Sequence, residues 1–193
     1  MTQIDVLDFY TKEGKIVSNH QKNVYTKEGS VNRMRMVKEA LDPLITNKIC
    51  LEVGCAEGLY CDYMAQVAKN VVGFDISPDK IERAKRENPK NNLSFLCLDW
   101  DKELPFGKDS FDITLLTEVL EHSLRPQELI DKIFNITKIV VATVPINEGP
   151  HEKPTKGGHI QSFKEDSFKD LFKGKQIVLY KDNKLTAIIV AKK

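Results

Sequence analysis

Glu118, Glu121 and His122 stand close together in the run TEVLEHS. On a helical turn these three positions share one face. Two carboxylates and an imidazole converging on one point could hold a divalent cation. The same groups could supply a general base, with His122 taking the proton of a hydroxyl as it attacks an electrophile and Glu121 beside it. A plain helix start with no chemical role is the third reading of these residues.

A second constellation precedes the first. The apolar run Ile49–Val53, which carries Glu52, ends in Gly54-Cys55-Ala56-Glu57-Gly58. Glycines at a strand-to-helix junction let the backbone turn tightly and let a ligand approach the main chain. About 20 residues later a second apolar run ends in Asp75-Ile76, where an acid can accept from ribose hydroxyls. A third run ends in Asp99-Trp100, an acid able to accept from an exocyclic purine amine and an indole able to stack on a purine. Glycine turn, acid and acid at three successive strand ends form one ligand wall, outside the carboxyl ends of the strands where open α/β sheets bind ligands. The G-x-G-x-x-G of nicotinamide dehydrogenases is absent, because Gly54 and Gly58 are four apart with Ala56 between them.

The elements that must position these groups follow from periodicity. Val31, Met34, Val37, Leu41 and Leu44 repeat at helical spacing, with Pro43 placed to stop that helix. From residue 48 onward, short apolar strands alternate with helical segments: KICLEVG, NVVGFDIS, LSFLCLD, FDITLLTEV and KIVVATVP as strands, and LYCDYMAQVA, PDKIERAKREN and PQELIDKIFNI as helices. Ser77 is the expected N-cap of the second helix, with Pro78 in its first turn. That rhythm implies right-handed crossovers and a parallel sheet covered on both faces. FKEDSFKDLF reads as a short helix, and KQIVLYKDNKLTAIIVAKK as two strands joined by a turn at Asp182 and Asn183. The resulting expectation is an α/β Rossmann-like three-layer sandwich in one domain over residues 1–193, with an N-terminal helical cap over 1–45 and a cofactor-binding core over 46–193. The stretch 145–163 is rich in glycine and proline and long for a connection, a common trait of functional loops.

These motifs also carry a resemblance. The run Glu52-Val53-Gly54-Cys55-Ala56-Glu57-Gly58 is similar to the first motif of class I S-adenosylmethionine-dependent methyltransferases, E/D-x-G-x-G-x-G, with Ala56 in place of the middle glycine. Gly73-Phe74-Asp75-Ile76-Ser77 resembles the family's ribose-binding strand end, and Leu98-Asp99-Trp100 its adenine-binding segment. Phe111-Asp112 through Glu118 resembles the fourth motif, and Ala142-Thr143-Val144-Pro145 the sixth region. The resemblance implies a seven-stranded, mostly parallel sheet with an antiparallel last strand. It also implies S-adenosyl-L-methionine held by Glu52, Gly54, Ala56, Gly58, Asp75, Ile76, Asp99, Trp100 and Glu118.

The segment EVLEH further resembles ubiquinone-pathway O-methyltransferases, the group closest in motif, and small-RNA 3′-terminal 2′-O-methyltransferases. There the corresponding Glu118, Glu121 and His122 are metal ligands, and the second group adds a histidine from a later loop, a place His159 or His151 could fill. The resemblance thus implies a metal set of Glu118, Glu121, His122 and His159, with Mg²⁺ as the expected ion, whereas the residue types themselves offer His122 and Glu121 as a catalytic pair. His159 could instead only dock its glycine loop on the domain.

Bulk composition narrows the partners. With 29 basic and 28 acidic residues the net charge is +1, which leaves no strong nucleic-acid signal. Lys12, Lys15, His20, Lys22 and Lys27 read as a solvated surface that could meet an anionic acceptor. No apolar run reaches the roughly 18 residues of a membrane span, and the N-terminus lacks the pattern of a secretory signal. Cys50, Cys55, Cys61 and Cys97 form no CxxC; Cys50 and Cys97, inside apolar runs, are expected to be buried, and a cytoplasmic setting with reduced thiols is the default. The expected reaction is methyl transfer to a small-molecule acceptor, first a hydroxyl oxygen, since the N/D-P-P-Y/F run of nucleobase amino-group methylation is missing after the fourth strand. An RNA 2′-O-methyltransferase and a non-catalytic cofactor-binding module that serves a partner are the alternatives. Acceptor contacts are expected from residues 1–30 and 145–163.

Overall fold

A computed structural model describes residues 28–146, 159–181 and 186–193. The elements in chain order are α1 (Glu28–Ile45), β1 (Ile49–Val53), α2 (Leu59–Met64), β2 (Asn70–Asp75), α3 (Pro78–Glu87), β3 (Leu93–Cys97) and β4 (Phe111–Thr117). A single 3₁₀ turn (Leu120–His122) follows, then α4 (Pro126–Ile136), β5 (Thr137–Pro145), α5 (Glu165–Asp170), β6 (Gln176–Lys181) and β7 (Thr186–Lys192). The strands form one seven-stranded sheet in the order β3-β2-β1-β4-β5-β7-β6. All pairings from β3 to β5 are parallel, and β7 runs antiparallel to both of its neighbours. This is the Rossmann-like α/β sandwich expected from the strand–helix rhythm.

Consecutive strand residues alternate between two cores, as the pleat requires. Cys50, Val71, Ile113, Val141 and Ile188 pack on one side with α1 and with Ile81 and Ala84 of α3. Leu51, Phe74, Leu116, Val140 and Ile189 pack on the other with Leu129, Ile133 and Phe134 of α4 and with Phe168 and Phe172. Burying side chains of this size stabilises the fold by about 1.5–3 kcal/mol each. The Ser77 hydroxyl caps α3 by accepting from the Lys80 N–H, and Pro78 opens the helix.

Several local expectations are corrected. Pro43 does not stop α1, which continues to Ile45; the proline ring is exposed, while Leu41 and Ile45 are buried and hold the last turn in place. The segment after Gly58 is helical only as far as Met64. Cys50 is buried, but Cys97 is exposed because β3 is an edge strand. The turn at Asp182 and Asn183 lies outside the described residues.

Sheet order places the site. β1 pairs with β2 on one side and with β4 on the other. Chain progression therefore reverses direction between β1 and β4, and the carboxyl ends of these two strands open the crevice typical of ligand binding in such sheets.

Candidate active site

The loop after β1 coils through three left-handed residues, Gly54 at φ 68°, Ala56 at φ 47° and Gly58 at φ 82°. At Gly54 a Cβ would come within 2.6 Å of Val119 Cγ2, and at Gly58 within 2.6 Å of the Phe95 ring. Glycine is needed at both for conformation and for space. Ala56 adopts the same hand despite its methyl. The reward is a hydrogen bond: the Ala56 N–H donates to Asp75 Oδ2 at 3.0 Å. Asp75 Oδ1 accepts from Ser77 N–H at 2.9 Å. The two strand ends are thereby tied together by one carboxylate, which is 4% exposed and keeps further lone pairs for hydroxyl donors.

Glu52 lies under this loop, 2% exposed. Burial pushes its carboxyl up to about 8 from an ordinary 4.5; the Cys61 thiol hydrogen bond pulls it back, and the charge of Asp75 adds to the rise. Its Oε2 has no hydrogen-bond partner among the described residues. A buried oxygen left in this state is unfavourable unless a donor arrives.

On the adenine side expected from sequence, Asp99 Oδ1 accepts from the Asp101 N–H at 3.0 Å, and Lys102 Nζ stands 3.5 Å from Oδ2. The Trp100 indole packs against the second core and reaches over Gly54. Ile76 is half exposed beside the Asp75 strand end.

Across the crevice, Glu118 does not share a helical turn with Glu121 and His122. It takes a left-handed φ of 55°, and only Leu120–His122 form a helical turn. Its carboxylate accepts from Arg33 of α1 at 3.1 Å and from the Thr143 hydroxyl of β5 at 3.0 Å. Glu118 is therefore not brought into the cluster that the other residues form. Glu121, His122 and His159 do come together: one ligand atom from each lies within 4.8 Å of the others. The two imidazoles meet edge to face, 4.9 Å between centroids. Glu121 is fully buried, and its carbonyl accepts from the Ile160 N–H at 2.9 Å and the Gln161 N–H at 3.0 Å. Those two bonds, with buried Phe163 bridged to Ile146, seat the segment that carries His159. His151 and the lysines and histidine of the first 27 residues lie outside the described residues.

Two contributors were not singled out by the sequence. Arg33 is one of three cations on the stripe-bearing helix, with Arg35 and Lys38, and Thr143 is one residue of a run noted only for its likeness. The signal available for Arg33 was a charge placed next to Met34 on an otherwise apolar face.

The arrangement fits a nucleoside-bearing ligand. There is a cradle that side chains would fill, an acid at the second strand end, and a buried carboxyl oxygen awaiting a donor. The comparisons agree with that geometry. A methyltransferase-domain family profile matches residues 51–139. The ubiquinone biosynthesis O-methyltransferase of Bartonella tribocorum is 33% identical over 120 residues, covering 60% of this chain and 48% of that protein. The chain spans about half the length of the curated relatives it matches. Among solved structures, an S-adenosylmethionine-dependent methyltransferase from Mesorhizobium loti superposes with a TM-score of 0.71 at 16% identity, over 82% of this chain and 96% of that one. The methyltransferase domain of bacterial CtHen1 superposes with a TM-score of 0.64 at 18% identity, over 83% and 97%. In its profile match, its sheet order and its glycine–acid crevice, the chain is similar to the class I S-adenosylmethionine-dependent methyltransferases.

Proposed function

We propose that this chain transfers the methyl group of S-adenosyl-L-methionine to a hydroxyl oxygen of a small-molecule acceptor. The observation that carries the reading is the meeting of Glu121, His122 and His159 at the end of β4, the strand beside the glycine loop. When bound, S-adenosylmethionine supplies a methyl already activated by its sulfonium charge. The protein's task is then to position the acceptor in line and exclude water. Asp75 would accept from the ribose hydroxyls, Gly54, Ala56 and Gly58 would give the ligand a close approach to main chain, and Ile76 and Trp100 would flank the purine, with Asp99 at its amine. Glu52 would receive a donor from the methionine end, and Glu118, held by Arg33, would line the same end. His122 would take the acceptor's proton, with the Glu121 carboxylate close by.

The same three residues suit a divalent metal. Glu121, His122 and His159 would hold it, and it would lower the pKa of a coordinated hydroxyl. Two imidazoles and one carboxylate match borderline ions such as Fe²⁺ or Zn²⁺ best, and suit Mn²⁺, which tolerates nitrogen donors, better than Mg²⁺, which prefers oxygen donors.

The named relative is an O-methyltransferase of ubiquinone biosynthesis, which supports oxygen as the acceptor atom. An RNA 2′-hydroxyl is the second reading, favoured by His159 joining the cluster. Titration calorimetry with S-adenosylmethionine, followed by an assay for S-adenosylhomocysteine over a panel of hydroxyl compounds and short RNAs, tests the proposal. Binding with turnover on a hydroxyl acceptor is expected. Binding with no turnover would favour a cofactor-binding module, and no binding would remove the reading.

A further inference from the structure

Among the described residues the outer edge of β6 is unpaired, and five of its six side chains are exposed. Among the described residues β6 pairs only with β7. Ile177, Val178 and Tyr180 are 37%, 53% and 48% exposed. From the register, Val178 and Tyr180 share a face with Val190 and Ile188, while Ile177 and Leu179 share the other with Ala191 and Ile189. The opposite edge, β3, exposes one large apolar side chain, Leu96. Proteins commonly blunt a free edge with proline, bulges or central lysines. β6 has no proline, and its single lysine is the terminal Lys181, whose ammonium is held by Glu165 at 2.8 Å.

We propose that β6 pairs antiparallel with β6 of a second copy of this chain, about a two-fold axis through Val178. The choice of partner comes from the strand's own sequence. A two-fold axis normal to the sheet keeps each face on its own side, so the axis must pass through a residue. Centred on Val178, Ile177 opposes Leu179, Val178 opposes Val178, and Gln176 opposes Tyr180. Centred on Leu179, Ile177 would face Lys181. Centred on Ile177, Leu179 would face Lys175. The Val178 centre alone keeps every apolar residue of the strand from facing a lysine while pairing apolar with apolar on both faces, the pairing that stabilises cross-strand neighbours. It brings Lys175 opposite Lys181, but both ammonium groups are already engaged, Lys175 over the Phe134 ring at 4.7 Å and Lys181 on Glu165. Two sheets would join into one through main-chain hydrogen bonds. An interface of one strand pair is small, so association is weak and concentration-dependent.

Sedimentation velocity over a concentration series tests this with the full chain. The wild type is expected to move from monomer toward dimer as concentration rises. Val178→Lys and Val178→Glu should each stay monomeric, and their equimolar mixture should regain the dimer, because this position meets itself across the axis. Ile177→Lys, on the other face, should also weaken the dimer. Unchanged far-UV circular dichroism and thermal midpoints mark the variants as folded. A wild type that stays monomeric throughout, a dimer that survives Val178→Lys, or a mixture that fails to reassociate would each overturn the proposal.

Discussion

Arg33 and Glu118, 85 residues apart in the chain, meet at 3.1 Å across the mouth of the crevice, each side chain 21% exposed. The contact fixes the first helix to the residue that follows β4, and Thr143 holds the other carboxylate oxygen. Arg33→Ala leaves a partly buried carboxylate with one partner fewer. A loss of about 1–3 kcal/mol is expected, read by urea denaturation. A double-mutant cycle with Glu118→Gln should return a coupling of about 0.5–3 kcal/mol. Strict additivity would show the pair to be energetically idle.

Ala56 holds φ at 47° in order to aim its N–H at Asp75. A left-handed L-residue costs roughly 1–2 kcal/mol, and glycine returns part of that through unfolded-chain entropy. Ala56→Gly should therefore be neutral to stabilising by less than about 1 kcal/mol. Ala56→Val should destabilise, since β-branched residues resist positive φ. Equal midpoints for all three chains would contradict the strained backbone.

Glu52 links the site to pH. Its folded carboxyl is raised to about 8 against an ordinary 4.5. The native state thus holds a proton that the unfolded chain has released between those values. Stability from this group is complete below about 4.5 and is lost as pH rises through about 8. Glu52→Gln should flatten that decline in the urea midpoint. A cationic donor placed against Glu52 would expel the proton, so heats of S-adenosylmethionine binding near neutral pH should vary with the ionisation enthalpy of the buffer. Buffer-independent heats would mean that Glu52 keeps its proton when the ligand binds.

His122→Ala should slow methyl transfer by about 10²–10⁴-fold while leaving S-adenosylmethionine affinity near wild type, since the glycine loop and Asp75 lie elsewhere. A variant that loses cofactor binding instead would assign His122 to structure.

A metal at the cluster has its own signature. Mn²⁺ binding followed by electron paramagnetic resonance should weaken by more than about tenfold in His159→Ala, and activity lost to chelator should return with Mn²⁺ more readily than with Mg²⁺. Turnover untouched by chelator would leave the three residues as an acid–base unit.

Much of this was legible from residue type because it is local. Gly54, Asp75 and Asp99 each follow or close a short apolar run and Gly58 opens the next helix, and such junctions are readable from a few neighbours. What escaped is non-local or conformational. No neighbour of Glu118 signals a left-handed backbone, and a glutamate is not the residue type that announces one, so the helical turn expected over 118–122 shrank to Leu120–His122. Arg33 could be assigned to Glu118 only once α1 was laid against the crevice. Cys97 was misread because an apolar run looks alike in a central strand and in an edge strand such as β3. Pro43 failed as a stop because burial of Ile45 outweighs one missing hydrogen bond.

β7 follows β6 in the chain yet lies between β5 and β6. β6 joins the sheet through β7 alone, whereas the pairings that frame the glycine loop and Asp75, β1 with β2 and with β4 and β2 with β3, involve neither strand. Loosening of that far margin therefore leaves every backbone pairing beneath the crevice intact.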